Sequence, residues 1–205
     1  MKLIYLLIIL LGFFSSGSSQ GITNNWILGY GPVQRTLFDF DSASLSINQI
    51  TFPMEYRGAN TTISDLNGNF IFSTNGVYIS DATGDTMQNG SGLNPGFYAT
   101  MYPDGLSISQ ADLVIPKPGS DSTYFLFHST LDNQATTQCQ FLYLTIIEMS
   151  GNGGLGVVTT KNLILINDFL NLGKITACKH ANGRDWWVFC HKGNSNIFYY
   201  FLITL

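Results

Sequence analysis

The stretch ISDLNGNFIFSTNG, from Ile63 to Gly76, carries the reading of the fold. A short β-prone run leads into a turn at Asn67-Gly68. A second, more apolar run follows and ends at another turn, Asn75-Gly76. Asn-Gly pairs supply the positive φ that tight hairpins need. The same order returns twice, in VIPKPGSDSTYFLFHST from Val114 to Thr130 and in ACKHANGRDWWVFCHKG from Ala177 to Gly193. Phe72, Phe127 and Phe189 are equivalent landmarks within the three copies. Each copy precedes a further strand-like run: Val77-Tyr78-Ile79, Phe141 to Glu148, and Ile197 to Thr204. All-β repeats of about 40–50 residues with four strands each are the sequence mark of propeller blades. The wider spacing here implies loop insertions at Gln88 to Ser109 and Thr130 to Gln138.

Outside these copies the chain keeps the same habit. Trp26 to Tyr30, Thr36 to Phe40, Leu45 to Ile47, Gly156 to Thr160, Leu163 to Ile166 and Ile175 to Lys179 are strand-length runs, bounded mostly by Gly, Asn, Asp or Pro. Their Phe, Tyr, Ile and Val content favours strand. Leu163 to Leu172 has a competing reading as a short helix, interrupted by Asn167 and Asp168. The fold expected is all-β, a partial β-propeller of about three four-stranded antiparallel blades, WD40-like or kelch-like, over residues 20–205. A two-sheet β-sandwich is the alternative, because it also uses short strands and turns.

Composition narrows the classes. The 205 residues are 45% hydrophobic and only 11% charged, with net charge -4. Average usage is about 25% charged. The apolar content excludes disorder by composition. No basic cluster exists to displace counterions, which argues against a nucleic-acid partner. Met1-Lys2, the apolar run Leu3 to Phe14 and the small residues Ser15 to Ser19 follow the plan of a secretory signal peptide over residues 1–19. No later segment is long and apolar enough for a transmembrane helix. The expected location is therefore secreted, extracellular or at the cell surface. Three cysteines remain after export, and Cys178 and Cys190 flank the Asn182-Gly183 turn as a possible disulfide. The third copy stops at its third strand, and Phe198 to Ile203 are apolar and uncapped. This predicts an N-terminal part of a longer protein, with Trp26 to Phe40 completing the sheet of the last blade.

WILGYG (Trp26 to Gly31), ISDLNGNFIFSTNG, GDTMQNGSGLNPG (Gly84 to Gly96), GNGGLGVVTTKN (Gly151 to Asn162) and ITACKHANGRDWWVFCHKGNSNIFYYFL (Ile175 to Leu202) resemble a family of large exported proteins of the Bacteroidetes. These begin with a signal peptide and a propeller-like β-repeat region. They often end in a type IX secretion sorting domain or a gliding-motility-associated C-terminal domain. The resemblance covers essentially the whole mature chain. It implies an extracellular or cell-surface location, and it transfers no catalytic residues.

The residues themselves offer little chemistry. Cys178, His180, Cys190 and His191 lack the usual spacing of a structural zinc site, and adjacent Cys190 and His191 point to opposite strand faces. Asp65 to Asn69 and Asp81 to Asp85 read as side-chain-stabilised turns and not as calcium loops, which place Gly sixth and end in a distant Glu. Gly151 to Gly156 lacks the Lys-Ser/Thr of a phosphate loop. Asp104, Asp112 and Asp132 are scattered. No catalytic residue, metal or cofactor is implied. Tyr30, Tyr98, Tyr102 and Trp186 are the aromatic residues expected at the surface, where a flat ring complements a pyranose face. The function expected is a secreted or cell-surface propeller module for binding or adhesion, with glycans or surface proteins as partners. The alternative is an exported glycan-active propeller enzyme whose catalytic residues lie in further blades.

Overall fold

A computed structural model of the protein describes residues 21–40 and 44–205. The export signal expected over residues 1–19 lies outside them. The protein is all-β, as its alternating apolar runs require.

Strands β1 (Asn25–Leu28), β2 (Gln34–Asp39) and β3 (Ser46–Thr51) form an antiparallel three-stranded sheet, with Trp26 opposite Phe38 and Phe38 opposite Ile47. Strands β4 (Thr61–Ser64), β5 (Phe70–Thr74), β6 (Tyr78–Asp81) and β7 (Thr86–Ser91) form an antiparallel meander. A one-turn helix, α1 (Phe97–Met101), lies in the long connection that follows. Strands β8 (Asp112–Pro116), β9 (Thr123–His128), β10 (Cys139–Glu148) and β11 (Val157–Lys179) make a second meander. Strand β12 (Trp186–Lys192) then pairs with the far end of β11, and β13 (Phe198–Ile203) pairs with β12. The expected landmarks Phe72, Phe127 and Phe189 fall on β5, β9 and β12, each flanked by a strand on either side.

The turns follow local chemistry. The Asp65 carboxylate accepts the N–H groups of Asn67 and Asn69, while Gly68 takes φ 89°. Asn182 does the same for Arg184 and Asp185, with Gly183 at φ 73°. In both turns the side-chain oxygen replaces a backbone acceptor and the glycine supplies the left-handed step.

The two meanders are not separate blades: β7 pairs in parallel with β11 at Gln88 and Val157, so β4 to β13 form one mixed ten-stranded sheet whose two meanders share a core. Ile63, Phe72, Ile79 and Met87 of the first meander meet Tyr124, Leu126, Ile147 and Val158 of the second. Phe72 and Tyr124 sit edge to face at 5.4 Å, the arrangement the ring quadrupoles favour. Phe127, adjacent to Leu126, points the other way into Ile115, Leu142, Ile166 and Val188. Both residues are 0% exposed, so this sheet is buried on both faces. That explains why Tyr124 to His128 reads as a continuous apolar run and not as an alternation. Ile27, Phe52, Met54 and Tyr56 join the N-terminal sheet to Phe70 and Tyr78.

Two differences from the sequence expectation have physical causes. The runs Gly156–Thr160, Leu163–Ile166 and Ile175–Lys179 are one strand, β11, whose first part pairs with β10 and whose last part pairs with β12. Asn162 at φ 55° and Gly173 at φ 67° bend it without ending it. A Cβ on Gly173 would stand 2.3 Å from the Ser109 carbonyl oxygen, so the residue is glycine because a loop crosses there. Leu163 to Leu172 is accordingly strand and not helix. Trp26 to Phe40, expected to complete another blade, pairs with β3 in a sheet of its own.

Candidate functional site

Three loops converge at the end of the molecule where β1 turns into β2. Tyr30 stands on the first, between Gly29 and Gly31 at φ 133° and 104°. Its position is set by Arg35, a guanidinium buried to 1% exposure. Arg35 Nε donates to the Met54 carbonyl at 2.5 Å, Nη1 to Gly31 at 2.7 Å and to Gln34 at 2.8 Å, and Nη2 to Pro53 at 3.4 Å. No carboxylate pairs with it among the described residues. The cation is solvated by backbone carbonyls and thereby ties the Tyr30 loop to the segment after β3.

That segment presents Arg57. Met54 and Tyr56 point inward and are buried, and the Tyr56 hydroxyl donates to Ser73 Oγ at 2.7 Å. Burial pushes the Tyr56 phenol well above its usual range. The alternation leaves Arg57 exposed. Next to it Gly58 packs on the third loop, where a Cβ would meet the Ile108 nitrogen at 2.7 Å. The Ala59 N–H donates to Leu106 O at 2.9 Å, and Asn75 Nδ2 donates to the carbonyls of Glu55 and Asp104, each at 3.1 Å. The loop carrying α1 is thus clipped to the Arg57 segment. Tyr98 and Tyr102, one helical turn apart, bring their rings to 4.7 Å. Burial, then Tyr102, raises the Tyr98 phenol pKa.

The Arg57 guanidinium carbon lies 4.6 Å from the Tyr30 ring centroid and 5.3 Å from that of Tyr102. Arg57 also donates a hydrogen bond to the Tyr30 hydroxyl. Three of the four aromatic residues singled out in sequence therefore meet in one place. Sequence reasoning missed Arg57, because nothing in Glu55-Tyr56-Arg57-Gly58 marks it. An Arg followed by Gly between two strand runs was the only available signal.

Trp186 is not part of this cluster. It sits on β12, half-buried, with the Lys179 ammonium 4.2 Å above its ring and its indole N–H buried without an acceptor. The Cys178–Cys190 pairing expected across the hairpin is not formed, and Cys139, Cys178 and Cys190 are free thiols. Cys178 stands opposite Trp187 and is exposed, while Cys190 stands opposite Ile175 and is buried. The hairpin register is offset from the one a cross-strand disulfide needs. Burial pushes the Cys190 thiol up to about 11 and the Cys139 thiol to about 12, so neither is a reactive nucleophile. His180 Nδ1 accepts the Asn182 N–H, and His191 pairs with Asn171. Among the described residues no group of three His, Cys, Asp or Glu side chains is placed to hold a metal, and no helix is long and apolar enough to cross a membrane. Asp132 is bound by the Phe141 and Gln140 N–H groups and the Tyr143 hydroxyl.

A concave region of about 360 Å³ lies at the β11–β13 end of the long sheet and is lined by Lys174, Ile175, Phe189, His191 and Phe198. It opens on the outer face of that sheet, where Phe198, Tyr200 and Leu202 are exposed. Its walls mix the apolar Ile175, Phe189 and Phe198 with the polar Gln110, Asn171 and Thr176. No family model, curated protein or solved structure matches this chain.

Proposed function

We propose that the protein is a secreted or cell-surface binding module of the β-propeller type, and that Tyr30, Arg57, Tyr98 and Tyr102 form its glycan-binding surface. The propeller reading is supported by the repeated meanders, the core they share and the equivalent places of Phe72, Phe127 and Phe189. The exported location rests on the leader-like N-terminus and on the resemblance to large exported Bacteroidetes proteins.

One observation carries the binding role. Three tyrosines and an arginine from three loops far apart in sequence converge at one place on the surface, where Tyr30 is 57% exposed and Tyr98 and Tyr102 are half-buried. A core would bury these rings, and a plain loop would not spend a buried arginine on positioning one of them. Tyrosine offers an apolar face for a pyranose and a hydroxyl for its substituents. The test is a glycan array probed with the full chain and with Tyr30→Ala and Tyr102→Ala. The expected result is retention of a defined set of glycans, weakened at least tenfold by either substitution with thermal melting unchanged. Absence of glycan retention, or equal retention by the variants, overturns the proposal.

A further inference from the structure

We propose that this surface selects glycans carrying an isolated carboxylated sugar, with Arg57 as the residue that reads the carboxylate; the inference rests on the glycan-binding reading above. Arg57 has no carboxylate partner among the described residues. The ion pairs among the described residues are Arg184–Asp185 and Lys192–Asp168. Arg35 is spent on carbonyls, Lys161 on Asn89 and Ser91, and Lys179 on the Trp186 ring. Arg57 donates one bond, to the Tyr30 hydroxyl, and its remaining N–H groups have no protein acceptor among the described residues. An exposed guanidinium held between two rings loses little rotamer freedom on binding. Its planar fork matches a planar carboxylate through two parallel hydrogen bonds.

The surroundings narrow the ligand further. Arg57 is the only cation over the Tyr30 and Tyr102 rings among the described residues. Glu55 and Asp104 flank the same loops, their backbone carbonyls both accepting from Asn75 Nδ2, and the chain as a whole carries -4. A densely sulfated polyanion needs several cations and is repelled here. A single sugar carboxylate meets one fork, with rings beside it on which the pyranose lies. An acidic peptide would engage the fork without using the ring faces.

The experiment measures binding of the full chain by calorimetry to matched probes. These are a glucuronate-containing tetrasaccharide and its carboxyl-reduced form, and sialyllactose with lactose, so that uronic and sialic sources of the carboxylate are separated. The expected result is at least tenfold tighter binding of one acidic probe than of its neutral partner. Arg57→Lys, which keeps the charge but not the fork, and Arg57→Gln should each abolish most of that preference. Equal binding of acidic and neutral probes overturns this inference and leaves the glycan-binding role standing. Binding to none of the probes and to no glycan on the array overturns both. Tighter binding to heparin fragments or to a glutamate-rich peptide also overturns the inference. The acidic-against-neutral comparison needs no variant, so a folding defect cannot obscure it.

Discussion

His128 Nδ1 lies 2.8 Å from Asn94 Oδ1, across the interface between the two meanders. Asn94 Nδ2 donates to the Gly76 carbonyl, so its oxygen faces the ring and Nδ1 carries the proton. Nε2 then accepts from the Thr145 hydroxyl at 2.9 Å. Thr145 Oγ1 accepts the Asn162 N–H, and Asn162 Oδ1 accepts the Asn94 N–H. The four residues close a ring of hydrogen bonds, with His128, Asn94 and Thr145 fully buried. The ring ties the connection after β7 to β9, β10 and β11, and it admits only a neutral imidazole. Burial lowers the His128 pKa from 6.5 to about 3.

That depression has a sign. Between about pH 6.5 and about pH 3 the unfolded chain holds a proton on His128 that the native state refuses. The unfolded state binds more protons, so this group's contribution to stability falls as pH is lowered through that window. The full effect is on the order of 5 kcal/mol. Urea melts of the protein and of His128→Gln at pH 7 and pH 4 should show that the substitution costs more at the higher pH.

Asp112 stands opposite His128 in the β8–β9 register and acts in the reverse direction. Its carboxylate oxygens are buried without a hydrogen-bond partner, and burial raises its pKa from 3.8 to about 7. Here the native state binds the extra proton, so this contribution falls as pH rises from about 4 to about 7. Asp112→Asn should therefore stabilise the protein at pH 8 and change little at pH 4. It should also leave the acid sensitivity of His128 unopposed. A pH series of melting temperatures for the protein and the variant measures both effects.

The three landmark phenylalanines occupy equivalent strands in unequal surroundings. Phe72 and Phe127 are 0% exposed, whereas Phe189 is half-buried on the outer sheet. Phe72→Ala and Phe127→Ala should each cost about 3–5 kcal/mol by lost transfer energy and cavity formation. Phe189→Ala should cost less than half as much. Denaturant midpoints at constant m-value report the difference.

Arg35→Lys tests the positioning of the Tyr30 loop. A lysine keeps the charge but cannot reach four carbonyls on two segments. Buried acceptors are left unpaired, at a cost of about 2–4 kcal/mol. Amide hydrogen exchange from Gly31 to Gln34 should accelerate more than exchange in β9. Uniform acceleration would argue against a specific role at this loop.

Much of the architecture was legible because it is local. Asn67-Gly68 and Asn182-Gly183 announce their turns through backbone sterics. Phe70 to Thr74, Tyr124 to His128 and Trp186 to His191 announce strands through β-branched and aromatic content. The continuity of β11 was hidden, because Asn162 and Gly173 look like breaks and act as bends held by partners from the loops at Gly92 and Ser109. Of the candidate site, Tyr30, Tyr98 and Tyr102 were legible as surface aromatics, and Trp186 was grouped with them only because residue type carries no address.

By itself the sequence determined the β-class, the repeating strand–turn–strand unit and the low-charge surface, since these follow from side-chain size, backbone freedom and composition. Tertiary structure alone decided that Arg57 lies between Tyr30 and Tyr102, that Cys178 and Cys190 stay apart, and that the Asp112 carboxylate is buried opposite His128. Each of those relations joins residues on different strands or loops. Their geometry is set by strand register and sheet packing, which no short stretch of chain encodes.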